Sequence, residues 1–181
     1  IEPTQVAGFN QLFDDVNGTT SRRVGIGIDW RVRDNLFVGA EATWRELDEL
    51  VNTFDPITFD DIIVTEEREE MLHRIYINWL PVPQIALSLE FVYDRYESQV
   101  SVDTELPLRV ETLSLPIGVR YFHPNGFFAS ASVTLVHQEA ERSALATLPD
   151  GVDTFVVADA AVGYRFPNRA GKASLEVRNL F

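Results

Sequence analysis

Along most of this chain, apolar and polar residues alternate strictly with a period of two. From Arg22 to Val32, every even position from Val24 onward is apolar, and the odd positions carry Gly or charged residues. A period of two places successive side chains on opposite faces of a β-strand. The segment is therefore predicted to be a strand with one apolar and one polar face.

The same alternation recurs seven more times, and helical spacing is found nowhere at comparable length. The eight predicted strands cover about 22–32, 36–45, 71–79, 85–94, 112–121, 127–135, 156–165 and 172–181. No apolar run approaches the roughly 18 residues that a transmembrane helix needs. The sequence thus predicts an all-β protein.

The connections between these strands are of two alternating kinds. Tight turns rich in Pro, Asn and Gly are predicted at 33–35, 81–84, 123–126 and 167–171. Longer polar connections are predicted near 46–70, 97–111 and 139–153. Short turns on one side and long loops on the other are typical of an antiparallel, up-and-down outer-membrane barrel. We assign 1–20 to an N-terminal loop segment and 21–181 to barrel strands.

The composition of the polar positions indicates whether the polar face of the sheet is exposed to bulk water or to an enclosed interior. In a soluble sheet it would carry many mobile lysines and glutamates, whereas here Gly, Ser and Thr dominate, together with seven arginines and six acids. Such a balance suggests side chains that neutralise each other across an enclosed aqueous lumen. The residues predicted to line it are Arg45, Arg74, Glu90, Asp94, Arg120, Asp159, Glu176 and Arg178.

Aromatic residues on the apolar parity gather at two levels. Trp30, Trp79, Tyr121, Phe127 and Tyr164 lie near the tight turns, and Trp44 and Tyr93 lie near the opposite ends. Two such girdles flank the apolar band of membrane barrels. The band spans about nine residues per strand, and a tilted membrane strand needs roughly 9–11. We therefore expect a transmembrane β-barrel in the bacterial outer membrane, surrounded by the lipid bilayer and lipopolysaccharide.

The sequence does not decide how many strands close the barrel. Backbone groups that face lipid must pair with a neighbouring strand, so either the eight strands close on themselves or further strands complete them. About thirteen inward charges would be costly in the packed interior of an eight-stranded barrel, which favours a larger barrel. A final Phe181 resembles the signal by which the barrel-assembly machinery recognises its clients, which would make it the end of a closed barrel. The last predicted strand, however, leaves a tight turn and should end on the extracellular side. This direction favours a truncated chain with at least one further, inward-running strand.

Composition and motifs exclude several classes of function. A net charge of −13 argues against a nucleic-acid partner. The chain has no Cys, its three histidines (His73, His123 and His137) share no spacing, and no catalytic or phosphate-binding motif is found. We expect no enzyme, no metal and no cofactor. The ten acids between Glu46 and Glu70 lack the spacing of a calcium loop and are interpreted as a solvated extracellular loop. The apolar residues of this loop are expected to form a strand extension above the membrane and not a ligand pocket; they are Phe54, Ile57, Phe59, Ile62, Ile63 and Val64.

Two alternatives remain at this point. The lumen charges either line a passage or hold a plug, tuning what passes, or they only cross-link the wall. A rival protein class is a soluble, calycin-like barrel that binds a small apolar ligand. That rival would bury Val24, Ile26, Leu87, Leu115 and Val133.

The closing stretch 173–181, Ala-Ser-Leu-Glu-Val-Arg-Asn-Leu-Phe, resembles the strand ending in Asn-Leu-Phe near the C-terminus of TonB-dependent outer-membrane receptors. The opening 2–15 is similar to a barrel segment of related proteins, some of which carry tetratricopeptide repeats. The resemblance implies a receptor-like barrel, for which TonB is a candidate partner. Neither a plug nor a TonB box is present in the sequence, so energised uptake is not implied.

Overall fold

The structure, a computed structural model, describes residues 4–6, 9–11, 18–54, 60–98, 107–143, 146 and 149–180. The strands are β1 (Thr4–Val6), β2 (Phe9–Gln11), β3 (Thr20–Arg33), β4 (Leu36–Phe54), β5 (Asp61–Val82), β6 (Ile85–Ser98), β7 (Pro107–Phe122), β8 (Phe127–Arg142), β9 (Gly151–Arg165) and β10 (Lys172–Val177). A short 3-10 helix (Pro167–Arg169) precedes β10. No helix in the described ranges has the length and apolar character needed to cross a membrane.

Strands β3 to β10 form one sheet of eight strands in chain order, and each is antiparallel to the next. The predicted all-β, antiparallel, up-and-down architecture is confirmed. Within 1–20, assigned to a loop, β1 and β2 pair as a separate two-stranded sheet.

Asn side chains and a Gly residue stabilise the tight turns, as the turn composition predicts. Asn35 follows β3, and its side chain donates a hydrogen bond to the carbonyl of Leu80, 3.1 Å away. At the turn between β7 and β8, Gly126 has a φ of 101°, a conformation that side-chain-bearing residues rarely adopt. Asn125 accepts a hydrogen bond from the amide of Phe127 at 3.0 Å. These contacts fix the register of the hairpins that follow.

The stretch near 46–70, predicted as a long connection, is mostly strand. β4 continues to Phe54 and β5 begins at Asp61, and the two pair without interruption from Leu36↔Trp79 to Phe54↔Asp61. The alternation is hard to recognise here because both faces of this hairpin carry charges. The range 97–111 shortens in the same way, since β6 runs to Ser98 and β7 starts at Pro107.

The last predicted strand is also corrected. β10 ends at Val177, and Asn179 then takes a left-handed conformation with a φ of 54°. Its amide donates to Oδ1 of Asp159 at 2.9 Å, and the amide of Leu180 donates to the carbonyl of Ala158 at 2.9 Å. The chain therefore leaves the ladder but stays tied to β9.

The sheet is open in the described part of the chain. β3 lies at one edge and β10 at the other, and no ladder between described residues joins them. Each edge strand thus presents unpaired backbone groups, which are a ready template for pairing with another strand.

Burial in this sheet is inverted relative to a soluble protein. On the apolar face, Ile26 is 73% exposed and Ile28 69%. On the polar face, Thr43 and Arg45 are buried, at 8% and 7%, and so is Glu66, at 4%. Side chains crowd on the inner side of a curved sheet, so this difference indicates a sheet that curves towards its polar face.

Candidate functional site

The predicted lumen residues lie on one face of the sheet. Directly opposed residues of an antiparallel ladder point to the same side, and the register links most of these residues through such pairs. The pairs are Arg45↔Glu70, Arg74↔Glu41, Tyr76↔Glu90, Leu72↔Asp94, Arg120↔Ser130, Ser132↔Asp159 and Ala161↔Glu176. Arg178 follows the end of β10 and its Nε donates to Oε1 of Glu176 at 2.9 Å. We call this surface the polar face.

Arg74 is the centre of the best-defined ion-pair group on the polar face. Its Nε donates to Oε2 of Glu90 at 2.9 Å, and its Nη1 lies 3.3 Å from Oε1 of Glu41. The three side chains are between 25% and 35% exposed. The guanidinium also lies 4.9 Å from the centre of the Tyr76 ring, within the range of a cation–π contact. One cation thus links β4, β5 and β6.

Tyr76 extends this group to β3. Its hydroxyl donates a hydrogen bond to Oδ1 of Asp29, and to reach it the ring crosses β4 above Gly39. A Cβ atom built on Gly39 would collide with the Cζ atom of Tyr76. The absence of a side chain at position 39 is therefore what allows the ring to lie across the strand.

A second group lies further along the same strands. Nη1 of Arg45 donates to Oε2 of Glu70 at 3.2 Å, and the Arg45 side chain is only 7% exposed. Asp94 lies on the neighbouring strand, where it pairs with Leu72 and follows Tyr93. Arg45 and Glu70 thus compensate each other between β4 and β5.

Arg68 forms a third group in the hairpin extension, which the sequence analysis treated as a loop. It pairs with Glu49, and its Nη2 lies 2.6 Å from Oε2 of Glu66. Burial raises the pKa of the nearby Tyr96 hydroxyl above its ordinary value. Arg68 is the only basic residue among the ten acids of 46–70, and that isolation was the available signal for an ion-paired role.

The remaining predicted lumen residues share a cavity. Arg120, Asp159 and Glu176 line a recess of about 190 Å³ on the polar face. Their strands are β7, β9 and β10, so this group lies apart from the Arg74 group. The structure therefore divides the eight predicted residues among separate clusters instead of gathering them in one site.

The predicted aromatic girdle falls at two levels of the apolar face. At the upper level, the Trp44 ring meets His73 edge-on at 5.3 Å between centroids, and His73 lies 5.9 Å from Tyr93. At the lower level, Phe127 pairs directly with Tyr164. The other members at this level, next to the tight turns, are Trp30, Trp79 and Tyr121.

Above the upper level, the apolar parity changes to charged residues, which we call the outer collar. Glu111 accepts hydrogen bonds from Arg109, with Nε at 3.0 Å, and from the Tyr93 hydroxyl at 2.9 Å. Oε1 of Glu111 also lies 3.7 Å from Nε of Arg95. The bond from Arg109 lowers the pKa of the Glu111 carboxyl below its ordinary value. The collar thus marks where the apolar face ends.

Among the described residues, no three His, Asp or Glu side chains come together in a group that could hold a metal ion. Comparisons with protein-family models, with curated proteins and with solved structures found no match for this chain.

Proposed function

We propose that this chain forms part of the wall of a bacterial outer-membrane β-barrel, in a receptor, transporter or export pore. Its apolar face contacts lipid, and its polar face lines an aqueous passage that admits or binds a ligand. The observation that carries the proposal is the inverted burial, which β4 shows on a single strand: Trp44 on the apolar face is 41% exposed, and its neighbours Thr43 and Arg45 on the polar face are 8% and 7% exposed. The proposed role is not catalytic, because the Arg74 and Arg68 groups of the polar face are held in ion pairs.

Exposed apolar area makes a soluble sheet unfavourable. Each Å² of apolar surface left in water costs about 25 cal/mol, and large contiguous apolar patches mark interaction or membrane surfaces. The soluble calycin-like alternative requires five residues to be buried. Val24, Ile26 and Val133 are instead 57%, 73% and 41% exposed, and Leu87 and Leu115 are half-buried. The geometry therefore supports a lipid-facing surface over a ligand-binding core.

The height of the apolar band supports the same proposal. Trp79 pairs with Leu36, and Trp44 lies eight residues further along β4. At about 3.4 Å per residue, the two levels are about 27 Å apart along the strand. A tilt of about 35–45° projects this to about 19–22 Å across the membrane, a little less than the ~25 Å apolar band of outer-membrane barrels. One apolar row runs through every strand from β4 to β10: Leu36, Trp79, Leu87, Val119, Ala131, Ala160 and Val177.

The open edges support a larger assembly. Backbone groups without partners are costly in lipid, so in the proposed setting β3 and β10 pair with further strands. The lumen then takes charged residues at a lower cost, because a wide barrel holds water. Following the Asn-Leu-Phe resemblance, we propose a TonB-dependent-receptor-like barrel. The barrel-assembly machinery and TonB are its proposed protein partners, with lipopolysaccharide at the outer collar.

Cysteine scanning tests the sidedness, because the chain has no native Cys to interfere. Adjacent positions on β8 provide the matched pair: Val133→Cys on the apolar face and Ser132→Cys on the polar face. Each variant of the full-length protein is labelled with a nitroxide and reconstituted in lipid vesicles. We expect the label at 133 to be relaxed mainly by oxygen, which concentrates in hydrocarbon, and the label at 132 mainly by a water-soluble nickel chelate.

The reverse outcome, or nickel access at both positions, would overturn the membrane proposal. Purification of the folded full-length protein without detergent would count in the same direction and would favour the soluble alternative.

A further inference from the structure

We propose that the recess between β6 and β10 on the polar face binds a compact zwitterion, the size of a small α-amino acid. Arg120 would hold its carboxylate, and Asp159 and Glu176 would hold its ammonium group. The inference rests on the proposed function, in which this face meets an aqueous interior. It names the chemical class of solute that this interior recognises.

Two neighbouring cross-strand rows build the recess. One row runs Arg120↔Ser130, Ser130↔Ala161 and Ala161↔Glu176. In the other row, Gly118 pairs with Ser88 on one side and with Ser132 on the other, and Ser132 pairs with Asp159. Small residues thus form the floor, with a cation on one side and two carboxylates on the other. Gly118 leaves no room for a side chain at the base of the recess, because a Cβ atom there would lie 2.6 Å from Oγ of Ser88.

The charged groups at this recess differ from those elsewhere on the polar face. Arg120 makes no hydrogen bond or ion pair with any described residue, whereas Arg74 bonds to two glutamates. Oδ1 of Asp159 accepts a hydrogen bond from the backbone amide of Asn179, and Oε1 of Glu176 accepts one from Nε of Arg178. Each carboxylate keeps its second oxygen for another donor. The recess therefore offers both signs of charge without neutralising them internally.

The spacing suits a small dipolar molecule. Arg120 and Asp159 are two strands apart and one pleat apart along the strand, so their Cα atoms are separated by about 12 Å in a regular sheet. Two facing side chains with a small molecule between them fill such a gap. The recess, with a volume of about 190 Å³, has room for several water molecules or for a small solute that displaces them.

The lining chemistry selects among small solutes. A guanidinium binds a carboxylate through two parallel hydrogen bonds, and carboxylates accept bonds from an ammonium group. The serine hydroxyls can donate or accept between them. No aromatic ring lines the recess, so the apolar face of a sugar finds no stacking surface. A zwitterion uses all the available groups, while a simple anion or cation uses one side only.

Calorimetric titration of the full-length protein in detergent tests the binding. The probes are L-alanine, propionate and ethylamine, which share a similar size but carry both charges, the negative charge or the positive charge. We expect L-alanine to bind at least about tenfold more tightly than either of the others. Because hydrogen bonds to charged groups contribute strongly, Arg120→Gln should weaken L-alanine binding by about ten- to a hundredfold.

Two further variants secure the interpretation. Arg31→Gln removes the same charge from an exposed pair with Asp34 in the first tight turn and should leave binding unchanged. Arg120→Lys keeps the charge without the bidentate geometry and should give an intermediate affinity. If propionate binds as well as L-alanine, or if Arg120→Gln binds as the wild type does, the inference is wrong.

Liposome swelling separates this inference from the proposed function. In one outcome, the protein binds L-alanine in an Arg120-dependent way but vesicles that contain it admit no solute. This result would overturn the proposal of an aqueous passage and support the binding site. In the other outcome, the protein binds no L-alanine but its vesicles swell at a rate that depends on solute size alone. This result would overturn the binding site and support the passage.

Discussion

The Tyr76 hydroxyl donates a hydrogen bond to Asp29 two strands away, and the ring passes over Gly39 on the strand between them. An aromatic ring that covers a glycine in a neighbouring strand restores contacts which the missing side chain cannot make. The same arrangement occurs at Phe128 and Gly163, where a Cβ atom on the glycine would collide with the ring. Both rings lie on the polar face, so they brace the side of the sheet that carries the charges.

Gly39→Ala should destabilise the protein by displacing the Tyr76 ring. The expected cost is about 1–2 kcal/mol, from the lost hydrogen bond to Asp29 and poorer packing. Gly27→Ala is the matched control on the same face, because its Cβ atom would meet neighbours at an ordinary 3.7 Å; it should be neutral or slightly stabilising. Equilibrium unfolding in urea, in lipid vesicles, measures both. Equal effects of the two substitutions would show that the ring does not depend on Gly39.

Arg74→Gln should destabilise the wall because it leaves Glu41 and Glu90 without their shared cation. We expect a loss of about 1–2 kcal/mol in unfolding free energy, between the small values of surface pairs and the larger ones of buried pairs. Arg31→Gln, in an exposed pair with Asp34, should cost less than about 0.5 kcal/mol. The triple variant Arg74→Gln, Glu41→Gln, Glu90→Gln should recover part of the loss. A triple variant less stable than Arg74→Gln would contradict this account.

Much of this arrangement follows from the sequence, and the missing part has a physical cause. The period of two assigns Arg74, Glu90 and Asp94 to the polar face correctly, because parity is a local property. Which residues meet depends on register, which the turns and the whole ladder set together. The sequence therefore did not predict that Tyr76 would reach Asp29 across Gly39.

The hairpin extension was predicted only in part, as a strand extension at its apolar residues, of which Ile57 and Phe59 lie outside the described residues. Its charged part was assigned to a loop for a different reason. Glu49, Glu66 and Arg68 pair on the polar face, but acids also occupy the opposite face of the same hairpin. Hydrophobic alternation then disappears, although the strands continue. Charge compensation between partners replaces apolar contrast there, and single-sequence periodicity does not detect it.

Charge reversal separates a passage from a cross-linked wall. Arg74→Glu and Arg120→Glu each place negative charge on the polar face, and in a conducting barrel both should shift the ion selectivity towards cations. Arg22→Glu makes the same change on the opposite parity of β3, outside the proposed lumen, and should leave the selectivity unchanged. Reversal potentials in planar bilayers under a salt gradient measure the shift. Unchanged selectivity in both lumen variants would leave these arginines only the role of cross-linking the wall.

Stability should fall at acid pH partly through Glu111. Its pKa is lowered in the folded protein, first by the hydrogen bond from Arg109, so its contribution is fully present above the unfolded value of about 4.3. That contribution is lost as the pH falls through the lower folded pKa. Glu111→Gln should therefore show a shallower decline of unfolding free energy below about pH 4.3 than the wild type. Glu46→Gln, which removes an exposed glutamate beyond Trp44 on the same face of β4, is the control; the same decline in wild type and Glu111→Gln would contradict the assignment.

The three tryptophans should report two shallow depths in a bilayer. Trp30, Trp44 and Trp79 are 64%, 41% and 45% exposed on the apolar face, and indole rings favour the interfacial region where the N–H can meet polar groups. Three variants, each retaining one tryptophan and carrying Phe at the other two positions, are reconstituted with lipids brominated at different depths along the acyl chain. Each should be quenched most by the bromine nearest the headgroup. Ile117→Trp, in the middle of the band on β7, provides the comparison when it is the sole tryptophan, and it should be quenched most by the deepest bromine. Equal depth profiles for Trp44 and for the tryptophan at 117 would mean that the aromatic levels do not mark the edges of a bilayer.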